Sequence, residues 1–297
     1  MPCEVPIDGY EEPEPCEGGV PMSSVAVSAA TRVAAGYGLL TDDPLVIQAT
    51  NNTVVWLQPN EVIAKVGTSL DGAENLVREH TVAVALVAKN APIAPPLAGT
   101  EPTRDPDTDL IVTLWTRLDH DPELEVAPTD IAMALRRLHD DLARTQGVQP
   151  SFKVAVRRAR ALLDDDQLMA AHSLGDRSTL RAAIDRLSGE IDAHGYVEQP
   201  LHGEPHRGNL LATPTGLRWV DLGGVCVGPL EWDLAFLPDE AGSAFPTADP
   251  ELLRLLRTLT SACVATWCWL RPDVDEMRRH GELHLERVRR ASHLRGG

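Results

Sequence analysis

Lysine is nearly missing from this chain: of 27 basic residues only Lys65, Lys89 and Lys153 are lysines and the rest are arginine, so chemistry that needs an ammonium group has three candidates. Cysteine is sparse too. Cys3, Cys16, Cys226, Cys263 and Cys268 show neither paired metal-ligand spacing nor the density of a small secreted framework, which excludes a disulfide scaffold and points to reduced thiols in the cytoplasm. Nowhere is there a run of about eighteen apolar residues, and the amino terminus lacks a charged-then-apolar leader pattern, so neither a membrane span nor secretion is expected. Positive charge is in deficit, 27 basic against 44 acidic residues for a net charge of −17. That balance excludes a nucleic-acid backbone or an anionic membrane as the expected partner and favours a small cationic one, although solubility alone would also account for it. Glycine is absent between Gly38 and Gly67, which rules out a glycine-rich phosphate loop in that stretch.

What is present divides the chain in three. Residues 1–25 carry Glu4, Asp8, Glu11, Glu12, Glu14 and Glu17 with no basic residue, interleaved with proline and glycine, and read as a disordered acidic tail. Residues 26–116 read as a β-rich segment. Ser28 to Tyr37 suits a helix; Leu45–Ile47, Thr53–Leu57 and Glu61–Val66 suit strands; Ala73–Val87 has helical period; Asp109–Trp115 suits a buried strand. Residues 117–297 read as mostly helical, with helices capped by Thr129, Ser178, Asp249 and Asp273.

The most informative stretch is Leu201-His202-Gly203-Glu204-Pro205-His206-Arg207-Gly208-Asn209, followed by Asp221-Leu222-Gly223. Leu210–Ala212 and Leu217–Val220 read as short strands with Thr213-Pro214-Thr215-Gly216 turning between them, and such a hairpin returns Asp221 close to Asn209. Mg²⁺ takes hard oxygen ligands and commonly only one or two carboxylates from protein, which an Asn and an Asp together satisfy. Glu204 then stands where an incoming hydroxyl must be oriented. An alternative is a hydrolytic metal centre on His202 and His206, but Gly203 and Pro205 between them argue against the helix that such a pair needs.

These loops resemble the catalytic and metal-binding loops of the aminoglycoside phosphotransferase family. Gly228-Pro229-Leu230-Glu231-Trp232-Asp233-Leu234-Ala235 and Ala134-Leu135-Arg136-Arg137-Leu138-His139 resemble two further family segments, and the resemblance spans roughly residues 40 to 290. It implies an α+β, two-lobed protein-kinase-like fold, with a small β-rich N-lobe over 26–116, a connector at Thr116–Asp121 and a larger helical C-lobe over 117–297. It also implies transfer of phosphate from ATP or GTP, with Mg²⁺, to a small-molecule hydroxyl, as in resistance to cationic antibiotics. By the same resemblance Glu204 is the catalytic base, Asn209 and Asp221 hold the metal, and Asp233 braces the loop. Lys65 pairs with Glu79 to hold nucleotide phosphates, the Asn51-Asn52 turn approaches those phosphates, and Trp115 lines the purine slot. The acceptor falls to Asp164-Asp165-Asp166 and the stretch from Arg271 to His284. Two departures, Glu204 where the family has aspartate and the glycine-free loop, keep open a nucleotide-binding pseudokinase with a regulatory role.

Overall fold

Alternation of apolar and polar residues builds the first unit, Met1–Ala88 with Ile93–His120, in a computed structural model that describes residues 22–49, 52–68, 72–145, 147 and 149–293. Helix α1 (Met22–Gly36) is followed by strands β1 (Asp43–Ala49), β2 (Thr53–Gln58) and β3 (Val62–Val66), helix α2 (Gly72–Val87), and strands β4 (Thr103–Arg104) and β5 (Ile111–Thr116). The strands form one antiparallel sheet in the order β1-β2-β3-β5-β4. Ala26, Ala29, Ala30, Val33 and Ala34 of α1 pack on Val55, Leu57, Val62, Ala64, Val66, Val112 and Leu114, which occupy alternate positions along β2, β3 and β5. Successive residues of a strand point to opposite faces, so Lys65, Thr113 and Trp115 lie on the face away from α1. Helix α2 covers that side, packing on β5 and β3.

Two expectations for this unit need correcting. Helix α1 spans Met22–Gly36, opening six residues before the expected Ser28, with its buried face beginning at Ala26. Met22 to Val25, assigned to the acidic tail from sequence, therefore belong to a helix, while residues 1–21, Thr50 and Asn51 lie outside the described residues.

The second unit, Lys89–Pro92 with Asp121–Gly297, is mostly helical. It holds α3 (Pro128–Leu142), α4 (Lys153–Leu162), α5 (Leu174–His194), α6 (Leu230–Leu234), α7 (Pro250–Cys268) and α8 (Asp275–His293), with four short strands, β6 (Gln199–Leu201), β7 (Leu210–Thr213), β8 (Gly216–Trp219) and β9 (Cys226–Gly228). Its core is made where α4, α5, α7 and α8 bury Phe152, Leu163, Leu180, Ile184, Leu187, Leu256 and Leu259. Strands β7 and β8 form the expected hairpin, and β6 pairs with β9. Asp249 caps α7 as expected, its Oδ1 accepting from the amides of Glu251 and Leu252. Ser173, not Ser178, caps α5, its Oγ accepting from the Asp176 amide. At the start of α3, Ala127 takes the cap position without a side-chain bond, in place of Thr129. Pro128 opens that helix, its fixed φ suiting the first turn and its missing N–H costing nothing there.

Candidate active site

Two loops of the second unit are fixed by the strands around them. The β6–β9 pair, with Leu201 opposite Cys226, sets the start of the Leu201-to-Asn209 loop and the end of the Asp221-to-Val225 loop. The β7–β8 hairpin sets the other ends, and its ladder extends one step beyond the strands where the Val220 amide donates to the Asn209 carbonyl at 2.9 Å. Asn209 thereby faces Val220 at the open end of the hairpin, and Asp221 is the next residue along. The Asn209 Nδ2 donates to the Glu204 carbonyl at 2.9 Å, which leaves Oδ1 as the oxygen of that amide able to meet a hard cation. Asp221 has left-handed backbone geometry, φ 59 and ψ 58. Aspartate is among the residues that enter this region most readily, and Asn90 and Asp109 share it.

Asp233, fully buried on α6, supports the first loop from beneath. One carboxylate oxygen accepts from the His202 amide and the other from the Gly203 amide, both at 2.8 Å. His139 of α3 meets the same carboxylate through Nε2 at 2.7 Å, and the Gln199 amide nitrogen lies 3.3 Å from its Nδ1. A donor facing Nδ1 makes Nε2 the protonated nitrogen, so Asp233 receives three donors and its charge is compensated. Trp232 Nε1 donates to the Gly203 carbonyl at 2.9 Å. Gly203 itself has φ 95, and a Cβ on it would collide with the Gly224 carbonyl, so only glycine lets the two loops approach this closely.

The histidines are committed to the loop. His202 is fully buried, its Nε2 donating to the Val220 carbonyl at 3.2 Å and its Nδ1 accepting from the Glu204 amide at 3.3 Å; burial holds its pKa below the usual value. His206 accepts through Nδ1 from the Gly208 amide at 3.1 Å, and burial, with His202 nearby, pushes it down to about 4. With these ring nitrogens engaged, the hydrolytic reading has no ligand pair. Among the described residues no group of three or more His, Cys, Asp or Glu is placed to hold a metal. An amide oxygen together with one carboxylate is a hard, two-ligand donor set, and it fits Mg²⁺.

Glu204 carries the pKa shift that bears most directly on the proposed chemistry. Desolvation first, and then the Asp221 charge, pushes it up to about 8, while its side chain remains 40% exposed. These two observations describe a carboxyl group crowded by protein yet reached by solvent from one side. The exposure softens the desolvation, and the upward direction also follows from the neighbouring negative charge. Cys268, at the end of α7, is raised to about 11 by its own burial and then by Glu204 and Glu276, which places that thiol within electrostatic reach of the glutamate.

In the first unit, Lys65 and Glu79 meet at 2.6 Å, with side chains only 14% and 2% exposed. Asn52 lies half-buried in the bend ahead of β2, where a side chain on Gly72 would meet its Oδ1 at 3.1 Å; Asn51 lies outside the described residues. Trp115 is not the open stacking surface expected of a purine slot. Its ring is buried, its Nε1 donates to Thr113 Oγ1, and Lys65 and His80 lie against it. The acidic triplet is also occupied. Asp164 pairs with Arg160 and Arg181, Asp166 pairs with Arg177, and Asp165 accepts from the amides of Gln167 and Leu168. Each of the three already has partners within the protein.

No curated protein sequence matches the chain. Solved structures similar to it include a choline/ethanolamine kinase family protein from Mesorhizobium loti, with TM-score 0.62 and 16% identity over 90% of this chain and 94% of that one. Choline kinase LicA from Streptococcus pneumoniae gives TM-score 0.64 and 14% identity over 89% and 98%. The GDP and kanamycin complex of the aminoglycoside phosphotransferase APH(2")-IIia gives TM-score 0.64 and 12% identity over 91% and 99%. At such identities the likeness shows the fold, which is the two-lobed, protein-kinase-like one. The family model described as "APH: Phosphotransferase enzyme family" matches residues 46–285, and by that match over most of its length the chain belongs to the phosphotransferase enzyme family.

Proposed function

We propose that the protein transfers the terminal phosphoryl group of ATP or GTP to a hydroxyl of a small molecule, with Asn209 and Asp221 holding Mg²⁺ and Glu204 acting as the base. The observation that supports this reading is the joining of the two loops: the Val220 amide donates to the Asn209 carbonyl and the Asn209 Nδ2 to the Glu204 carbonyl, each at 2.9 Å, and Asp221 follows Val220 directly. GDP and kanamycin bound together in one structural neighbour, and choline and ethanolamine named in the kinase descriptions of others, support a nucleotide donor and a small acceptor.

In this reading Glu204 orients the acceptor hydroxyl. That oxygen forms the new bond to the terminal phosphorus as the bond to the bridging oxygen of the nucleotide breaks, and the hydroxyl proton passes late to Glu204 in its ionised form, so the raised pKa makes turnover rise with pH toward about 8. Bound Mg²⁺ supplies neutralisation of the phosphate charge. Lys65, fixed by Glu79, takes nucleotide phosphate oxygens. Asp233, held by His139, fixes the start of the loop backbone, so the segment that carries the base is set before substrate arrives.

The test is a nucleotide-consumption screen with ATP and with GTP across aminoglycosides, other cationic antibiotics, amino alcohols and simple sugars, with Asp221→Ala as the blank. At least one acceptor is expected to drive turnover that Asp221→Ala and metal chelation both abolish. Turnover unaffected by Asp221→Ala would remove the metal assignment. Metal-dependent nucleotide binding with no acceptor turned over would favour the regulatory pseudokinase reading, which Glu204 in place of the family's aspartate motivates.

A further inference from the structure

We propose that Trp115 is a positioning residue for Lys65, its buried indole forming a fixed platform that, with Glu79, holds the lysine ammonium in place before nucleotide binds. This rests on the reading of Lys65 as the phosphate-binding lysine. The register of β3 and β5 pairs Lys65 with Thr113 and Ile63 with Trp115, so strand alternation puts Lys65, Thr113 and Trp115 on one face. Lys65 Nζ lies 5.4 Å from the Trp115 ring centroid, within the range of a cation–π contact, and 2.6 Å from Glu79 Oε1. The acid binds the ammonium at the end of a long, flexible stem. The ring closes off part of that stem's swing.

The platform is itself immobilised. Trp115 Nε1 donates to Thr113 Oγ1 at 2.9 Å, a hydroxyl with no solvent exposure, and this bond fixes the ring plane. The His80 ring, one residue beyond Glu79 on α2, meets Trp115 edge-on with centroids 6.2 Å apart and planes at 74°. Both His80 and Trp115 are buried, at 2% and 5% exposure, so the contact with Lys65 is made where water competes little and a cation over an indole interacts most strongly. One helix therefore supplies the acid that binds Lys65 and the imidazole that braces its platform.

The scarcity of lysine makes the test direct. In the full chain labelled with isotopic lysine, NMR has only Lys65, Lys89 and Lys153 to resolve, and Lys65→Arg assigns the first. The Lys65 ε-methylene signal is expected upfield of Lys89, displaced by the indole ring current. Trp115→Leu is expected to return it toward Lys89, while Trp115→Phe keeps part of the displacement. Lys153, whose Nζ is 5.6 Å from the Tyr196 ring centroid, is expected to stay where it is in both variants and serves as the control. In kinetics, Trp115→Leu is expected to raise the donor KM by about tenfold with a smaller change in kcat, and Trp115→Phe to recover most of that loss. If Trp115→Leu does not fold, the wild-type signal and the Phe variant still decide. A wild-type Lys65 signal coincident with Lys89, or a folded Trp115→Leu protein with unchanged Lys65 signal and unchanged donor KM, would overturn the inference. Should the ring-current shift be present while wild-type protein binds no nucleotide, the phosphotransfer reading fails and the positioning role fails with it; a missing shift alongside normal turnover removes only the role of Trp115.

Discussion

Glu204 carries one methylene more than the aspartate of the resembling family, a reach longer by roughly 1.5 Å in a geometry where about 1 Å of misplacement can cost on the order of 10²-fold. The structure shows what absorbs that length. The loop backbone is set from beneath by Asp233, and the Glu204 carbonyl is tied to Asn209, so the added length falls to the side chain, which remains 40% exposed and has room to bend. Glu204→Gln keeps the shape and removes the proton acceptor, and it is expected to lower kcat by about 10²- to 10⁴-fold with little change in nucleotide affinity. Glu204→Asp shortens a side chain whose surroundings accommodate the longer one, and it too is expected to lose kcat rather than gain it. Steady-state rates on the acceptor found in the screen, with nucleotide binding followed separately, check both variants. A Glu204→Gln protein at full rate would show that the proton leaves by another route.

At the scale of elements, the sequence was readable where a pattern repeated over several residues. The β7–β8 hairpin, the Lys65 strand, the Glu79 helix and the Asp249-capped helix stand where periodicity and turn chemistry put them. Strands β4, β6 and β9 were missed. Each is only two or three residues long, and β6 contains Pro200 while β9 ends in Gly228, both residues that weaken a strand signal. Their formation depends on partners far away in the chain, which no local pattern carries. Helix α4 carries a weaker local signal: Arg157, Arg158 and Arg160 crowd it with charge, and only Val156 and Ala159 supply a narrow buried stripe. Once α4 is in place, the acidic triplet loses its apparent function, because Arg160 of α4 and Arg177 and Arg181 of α5 take Asp164 and Asp166 as ion-pair partners. Asp164→Asn is therefore expected to leave the acceptor KM within about twofold of wild type while lowering stability by about 0.5–1 kcal/mol, the modest value of partly exposed pairs. Acceptor kinetics and urea midpoints measured on the same preparation separate the two effects, and a large rise in acceptor KM at unchanged stability would return the triplet to the substrate site.

For the whole molecule, the net charge of −17 and the isoelectric point near 4.9 mean that mild acidification first relieves self-repulsion, so stability is not expected to fall as soon as the pH drops below neutral. What sets the acid limit is the set of carboxylates held ionised by partners. Asp105 is the clearest. Its side chain has no solvent exposure, Arg32 of α1 donates to both its oxygens at 2.8 Å, Thr108 adds two more donors, and the Arg32 hydrogen bonds foremost lower its pKa to about 2. A carboxylate whose folded pKa lies below its unfolded value of 3.8 stabilises the fold above that value, and the contribution is lost as pH falls toward about 2. The full effect is at most roughly 2 kcal/mol, since Arg32 is partly exposed and water screens its share. Asp105→Asn keeps a side chain of the same size but accepts fewer bonds and carries no charge. It is expected to be less stable than wild type at pH 7 and to show a shallower loss of stability between about pH 4 and 2, so that the two proteins converge in acid. Urea unfolding at pH 7, 4 and 3, followed by circular dichroism, decides it: parallel curves with no convergence would mean that Arg32 and Asp105 hold α1 to the sheet through shape alone and that the acid limit belongs to other carboxylates, with Asp249 and Asp273, both lowered by their own partners, next in line.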